Sequence, residues 1–183
     1  MTAERDAEFA EYVRARLPTL RRLAVLLCQD WHRADDLVQA AITRLYVHWP
    51  KAKAADNIDA YVRTIVVREF LRERRSSWTR RVTLSDQLPD MPSGAHDADT
   101  TIDLQAAIAT LPARQRATLV LRFYCDLNVD QSAQVLGCAP GTVKSQTAKA
   151  LDSLRRTLGP AFAPDADSSP LIVHRDGRAG EAL

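Results

Sequence analysis

No stretch of the 183-residue chain approaches the run of about 18 apolar residues that a bilayer-crossing helix requires. The N-terminus, MTAERDAEFAEYV, is charged where a secretory signal would be apolar, so the expected location is the cytoplasm, with no membrane partner. Cysteine is scarce: Cys28, Cys125 and Cys138 are far apart and lack the paired CxxC spacing of zinc or redox sites, which points to buried reduced thiols. His32, His48, His96 and His174 stand away from acidic or cysteine partners at any metal-ligand spacing. There is no nucleophile–base signature and no phosphate-binding glycine loop, so neither enzyme chemistry, nor a cofactor, nor a metal is expected. Internal repeats and a set of alternating strands are also missing.

What is present is helical periodicity and segregated charge. An apolar share of 46% is ample for packed cores, and the net charge of +2 averages blocks of opposite sign. Between Arg68 and Arg81, six arginines stand against two glutamates; between Val82 and Asp103 there are five aspartates and no basic residue. From Ala113 to Arg156, seven basic residues face three aspartates. Two cationic blocks separated by an acidic strip suggest two contacts with a polyanion and a connection kept off it.

Phe9, Tyr12, Val13 and Leu17 recur at helical spacing up to Pro18, which is expected to open a second helix bearing Leu20, Leu23, Ala24 and Leu27. Ala34, Leu37, Val38, Ala41, Ile42, Leu45 and Trp49 form the cleanest 3.6-residue period, stopped by Pro50. Asp56 or Asn57 can cap a further helix with the stripe Ile58, Tyr61, Val62, Ile65 and Val66. Beyond Val66 the stripe turns polar at Glu69 and Arg72, as if the helix left its own core for a charged environment. Residues 82–103, with Pro89, Pro92, Ser93, Gly94 and the aspartates, read as a flexible acidic linker, and residues 159–183 as a disordered tail. The expected fold is all-α: two small helical domains, 1–81 and 104–158, joined by that linker.

In the second domain, Asn128 and Gln131 have the spacing of a capping box for a short helix ended by Gly137, and Pro140 is suited to the first turn of the next. Such a corner is a helix-turn-helix. Steps of 100° put Val143, Thr147, Ala150, Leu151 and Leu154 on the packing face of the second helix. Thr142, Ser145, Lys149 and Arg156 lie opposite, with Lys144 and Arg155 on one flank and Gln146 on the other. That distribution suits a helix in a DNA major groove, whose N-terminal residues reach base edges while longer cationic side chains take phosphates.

The segments ADDLVQAAITRLYVHWPK (34–51), NIDAYVRTIVVREFLRERRSSW (57–78) and LPARQRATLVLRFYCDLNVDQSAQVLGCAPGTVKSQTAKALDSLRR (111–156) together resemble regions 2 and 4 of bacterial extracytoplasmic-function (ECF) sigma factors, particularly the actinomycete type. The resemblance spans roughly residues 5–158, with three motifs in order and at the right spacing. It implies a dissociable promoter-recognition subunit of RNA polymerase. By this resemblance the helix at 33–49 docks on the clamp coiled coil of the β′ subunit, with Asp35, Asp36, Leu37, Gln39 and Arg44 at matching positions. Leu37 fits the core stripe equally well. The stretch DLVQAA departs from the family in its two alanines, which weakens a polymerase role for Ala40 or Ala41.

The resemblance further implies that the first domain melts the minus-ten element and grips the unpaired strand. The loop Lys51–Asn57 corresponds to the element that captures a flipped base. The following helix offers Arg63, Arg68, Arg72, Arg74 and Arg75 to the strand, with Phe70 and Trp78 for stacking. Trp31 and Trp49 read instead as core or interface aromatics. The second domain would read the minus-thirty-five duplex with Thr142, Lys144, Ser145, Gln146, Lys149, Arg155 and Arg156 while resting on the flap of the β subunit. An anti-sigma partner is a further expectation from the resemblance. As a coil, about 22 linker residues span about 26 Å, short of the roughly 50 Å between promoter elements, so polymerase would have to stretch the connection. Two alternatives compete: a helix-turn-helix regulator that binds DNA unaided, which leaves residues 34–78 without a task, and a nucleic-acid-processing enzyme, for which no ligand cluster is visible.

Overall fold

The computed structural model describes the backbone of residues 2–83 and 99–159, with side chains over 3–74 and 104–159. Every regular element among the described residues is helical. In chain order these are α1 (Thr2–Cys28), α2 (Trp31–Val47), α3 (Trp49–Lys53), α4 (Ile58–Thr83), α5 (Asp99–Thr110), α6 (Ala113–Leu119), α7 (Val129–Leu136) and α8 (Pro140–Leu158).

The expected break at Pro18 does not occur, for α1 runs through it as one helix of 27 residues. Pro18 lies on the exposed side, so the Arg14 carbonyl left without a backbone donor faces water rather than a core. The true break comes at Gln29, held at φ 56°. Its side-chain amide donates to Leu26 O at 2.7 Å, and Asp30 then caps α2 by accepting from Arg33 N at 2.8 Å. Pro50 sits in the first turn of α3, just after the chain turns at His48. Asn57, one of the two expected caps, accepts from Ala60 N at 2.9 Å at the start of α4.

Helices α1, α2 and α4 bury their stripes against one another. Leu27, Leu45, Val62, Val66, Val67 and Phe70 are essentially inaccessible, and Trp49 closes one end of the cluster at 3% exposure. Polar cross-ties border this core: the Tyr12 hydroxyl donates to Asp59 at 2.7 Å, Arg33 pairs with Glu73 at 2.8 Å, and Lys53 pairs with Glu8. Burial first, and then the bond to Asp59, push the Tyr12 hydroxyl well above the ordinary phenol range.

The C-terminal unit begins earlier than its stripe suggested, because α5 starts at Asp99. Val82 and Thr83 at one end of the expected linker and Asp99–Asp103 at the other are helical; the remainder, 84–98, and the tail from residue 160 lie outside the described residues. Helix α6 widens into one π-helical turn, Val120–Tyr124, before α7. Ala107, Leu111, Leu119, Phe123, Ala150, Leu151 and Leu154 make a second core. Ala117, Val120, Leu121 and Val135 turn the other way and join the core of the N-terminal unit, so the two units share a seam.

Candidate nucleic-acid interface

The corner between α7 and α8 is built as its residue types dictate. Asn128 Oδ1 accepts from Gln131 N, and Gln131 Oε1 accepts from Asn128 N, both at 2.9 Å, which satisfies donors that a helix start leaves open. Gly137 adopts φ 62°, ψ 48°, and its N–H returns to Ala133 O. No heavy atom lies within 4 Å of where its Cβ would be, so the left-handed backbone, not lack of space, demands glycine here. Cys138 N then donates to Ala133 O at 3.1 Å, and Pro140 enters α8 in its first turn.

On α8 the five expected packing residues, Val143, Thr147, Ala150, Leu151 and Leu154, are all buried. Lys144, Ser145, Lys149, Arg155 and Arg156 are exposed, and Thr142 and Gln146 are half-buried on the flanks. The Ser145 hydroxyl donates to Thr142 O at 3.0 Å, leaving its lone pairs outward. Arg156 approaches Asp152 at 3.5 Å in full exposure, a pair weak enough to yield to a phosphate. The helix therefore presents a largely polar, net cationic ridge, interrupted only by the small Ala148.

On α4 the expected nucleic-acid residues divide. Arg72 is open, with 69% side-chain exposure, but its guanidinium is bound to the Glu69 carboxylate. Glu69 is itself only 4% exposed and also accepts from Arg44 at 2.8 Å. The polar interruption of the α4 stripe is thus an internal ion cluster tying α4 to α2, rather than an exit into a charged environment. Arg44, expected at the polymerase face, is one arm of that cluster. Between these helices lies a cleft of ≈ 390 Å³, walled by Arg44, His48, Tyr61, Ile65 and Arg72 among others.

Phe70, expected as a stacking surface, is 1% exposed and belongs to the core; the apolar period of α4 carries it inward, and Arg74 lies over its ring at 5.7 Å. Arg63 is half-buried, and Arg68 reaches away to α7, donating to Val135 O at 3.2 Å and Gln134 O at 3.1 Å. Asn57 is exposed but spends its side chain on the cap of α4. The side chains of Arg75 and Trp78 lie outside the described residues.

Along α2, Asp35, Asp36 and Gln39 are exposed, with Asp35 paired to Arg21 at 3.0 Å. Leu37 is 2% exposed, which corrects its assignment to the polymerase face: it is core. Trp31, by contrast, is 70% exposed at the start of the same outer face, so of its two expected roles only the interface one survives. Among the described residues no group of His, Cys, Asp or Glu could hold a metal ion, and no helix is long and apolar enough to cross a membrane. Sequence reasoning missed Arg116, which is 5% exposed and hydrogen-bonded to three backbone carbonyls. Its position on the α6 stripe between Ala113 and Val120 was the available signal.

Two helical units with these ridges, in this order, have counterparts. Residues 12–80 match the family model described as Sigma-70 region 2, and residues 101–154 that described as Sigma-70, region 4. The RNA polymerase sigma-E factor of Streptomyces coelicolor is 34% identical over 171 residues, covering 90% of this chain and 92% of that protein. This chain is an ECF sigma factor of the sigma-70 family. The ECF sigma factor SigM of Mycobacterium tuberculosis is 33% identical over 141 residues, 76% of this chain and 71% of that one. Among solved structures, the sigma factor RpoE of Bartonella quintana, crystallised with the anti-sigma factor NepR, superposes with a TM-score of 0.62 at 26% identity, covering 82% of this sigma factor and 96% of that chain. The region 2 match gives the helices at 34–78 the task that a free-standing regulator would have left them without.

Proposed function

We propose that this sigma factor binds core RNA polymerase through the outer face of α2, with Asp35, Asp36, Gln39 and Trp31, and reads its promoter at two separate places. Helix α8 lies in the major groove of the minus-thirty-five element, with Ser145, Lys149 and Gln146 at base edges and Lys144, Arg155 and Arg156 on phosphates. The single observation that carries this half is the exposed ridge of α8, largely polar and net cationic, presented by a capped, glycine-cornered α7. At the minus-ten element, Arg63, Arg68, Arg72, Arg74 and Arg75 follow the backbone of the unpaired strand, and the cleft between α2 and α4 is the place for a base leaving the stack. Polymerase supplies the chemistry, so this chain has no catalytic residue of its own, and it acts where polymerase is, in the cytoplasm. The β flap would seat the C-terminal unit, and an anti-sigma factor of the kind crystallised with the Bartonella relative would compete for these faces.

The test is reconstitution with core polymerase on fragmented genomic DNA, with start sites mapped from the transcripts. A discrete set of new starts, sharing sequence at both spacings, is the expected result. Transcription indistinguishable from that of core enzyme alone would refute the proposal.

A further inference from the structure

The first half of α1 is tied, from behind, to the elements that form the cleft between α2 and α4. The Tyr46 hydroxyl, at the end of α2, donates to Asp6 at 2.9 Å, and Lys53, at the end of α3, pairs with Glu8. Asp59, in the first turn of α4, accepts from the Tyr12 hydroxyl at 2.7 Å and from Arg16 Nε at 3.0 Å. Phe9 meets Tyr46 and Trp49 edge-on, with ring centroids 5.1 and 5.2 Å apart, and Tyr12 meets Trp49 at 5.3 Å. These partners bracket the short α3 and the loop that joins it to α4, so α1 grips the chain both before that corner and after it.

Tyr12 touches both sides of the corner: its ring lies on Trp49 and its hydroxyl holds Asp59. Each of these is close in sequence to a residue lining the cleft. His48, whose Nδ1 donates to Arg44 O at 3.0 Å, precedes Trp49, and Tyr61 is two residues past Asp59. Two steps along a helix turn through about 200°, so an Asp59 drawn toward α1 sends the Tyr61 side chain the opposite way, to the cleft. The far end of the cleft is set from within, by Glu69 bridging Arg44 and Arg72. At the near end the two walls are joined through Tyr12. Its hydroxyl is partly buried and bonded to a carboxylate, which makes this the strong link of the set; the exposed pair of Lys53 and Glu8 is a weaker one. A cleft braced in this way receives a base without first having to order its walls, and binding is tighter for that reason.

We propose that Tyr12 is a positioning residue for promoter opening: through Trp49 and Asp59 it fixes the spacing of His48 and Tyr61, the walls between which an unpaired base is received. Glu8 and Arg16 support it through Lys53 and Asp59. The proposal rests on the reading of the cleft as the place for a base leaving the stack. Tyr12 is not among the residues lining that cleft, so its loss acts on the step in which the strands part and not on recognition of the paired duplex.

The test uses holoenzyme reconstituted with the full chain on a promoter recovered by start-site mapping, with 2-aminopurine placed in the non-template strand of its minus-ten element. Fluorescence anisotropy on the cold, still paired duplex measures closed-complex affinity, and the rise of 2-aminopurine emission on warming measures the rate of unstacking. Tyr12→Phe keeps the ring on Trp49 and removes only the bond to Asp59. It should leave closed-complex affinity unchanged and slow the emission rise about three- to tenfold, at a temperature where circular dichroism shows the variant folded. Lys53→Glu should slow the rise by up to about fivefold, and exchanging the pair, Glu8→Lys with Lys53→Glu, should restore it. Opening at the wild-type rate in Tyr12→Phe overturns the role of that residue. Closed-complex affinity that falls in step with opening overturns it too, because the tyrosine would then serve the fold in general. An exchanged pair that does not restore opening overturns the part given to Glu8. Thr64→Leu, which fills the cleft from its wall, keeps the two readings apart. Wild-type opening in Thr64→Leu refutes the cleft as the place of the base, whereas slowed opening there beside wild-type opening in Tyr12→Phe overturns the positioning role alone.

Discussion

Glu69→Gln separates the two jobs of the ion cluster between α2 and α4. The carboxylate is nearly inaccessible and accepts from Arg44 at 2.8 Å and from Arg72 Nε at 2.9 Å, while the side chains of the arginines keep 50% and 69% exposure. Glutamine preserves the shape, but it carries no charge and turns an NH2 group toward guanidinium donors. Charge-assisted bonds are worth about 1.5–3 kcal/mol each when buried; the exposure of the arginines screens this, so the expected loss is about 1–3 kcal/mol in all. For a chain of this size that lowers the melting temperature by about 2–10 °C. The second effect has the opposite sign. Arg44 and Arg72 are released with one more unit of positive charge beside the cleft, and each added phosphate contact on a single strand steepens the salt dependence by about 0.7. Between 50 and 200 mM salt that is about a 2.6-fold larger loss of affinity. Thermal denaturation of the variant, and fluorescence anisotropy of the holoenzyme on a forked minus-ten fragment at the two salt concentrations, measure both. Destabilisation with an unchanged salt slope would remove Arg72 from the strand path; no destabilisation at all would refute the reasoning about Glu69.

Four further outcomes follow from the same structure. Asn128→Ala removes one side of the capping box and should cost about 1 kcal/mol, read as an earlier urea midpoint and weaker binding of a minus-thirty-five duplex. Gly137→Ala meets no steric obstacle but forces a Cβ into the left-handed region, so its cost should be about 1–2 kcal/mol of backbone strain, measured in the same titration. Replacing Lys149 or Ser145 by alanine should relax preference at single minus-thirty-five positions by about 1–3 kcal/mol, whereas Arg155→Ala should weaken all promoters alike and flatten the salt dependence; holoenzyme footprinting on a base-substituted series distinguishes the two. Burial pushes the Cys28 and Cys125 thiols up to about 11, above the ordinary value of 9.0. Each therefore keeps its proton in the folded chain where the unfolded chain loses it, so this contribution to stability is whole below pH 9 and is lost as pH rises toward 11. At pH 8 the thiolate population is about a hundredfold smaller than for an ordinary thiol, and iodoacetamide should label both cysteines slowly until denaturant is added.

The recognition corner was legible before any coordinates because each of its features is local. A capping box spans four residues, a left-handed glycine ends one helix, a proline starts the next, and the α8 stripe repeats at the helical period over five buried positions. The stripe of α2 was legible for the same reason. Pro18 misled because the energetic penalty of proline inside a helix depends on whether the freed carbonyl meets water, which is set by where α1 lies on its neighbours. Phe70 misled because an aromatic set among arginines suits base stacking, whereas the helix turns Phe70 inward and Arg72 outward within two residues.

By itself the sequence determined the helices, their caps, the cationic ridge of α8 and the membership in the sigma-70 family, since periodicity, turn chemistry and motif order all act over short stretches of chain. Only the tertiary structure decided the partners of the charges. Glu69 is shared by Arg44 from another helix, Arg116 holds the end of α1, and Arg68 lies on α7, 66 and 67 positions away along the chain. A guanidinium in a sequence looks the same whether it will meet a phosphate, a carboxylate or the end of a helix. Which of these it meets is settled by packing of the apolar faces, which brings residues distant in the chain within hydrogen-bonding distance and leaves the long cationic side chains to bind whatever acceptor that packing provides.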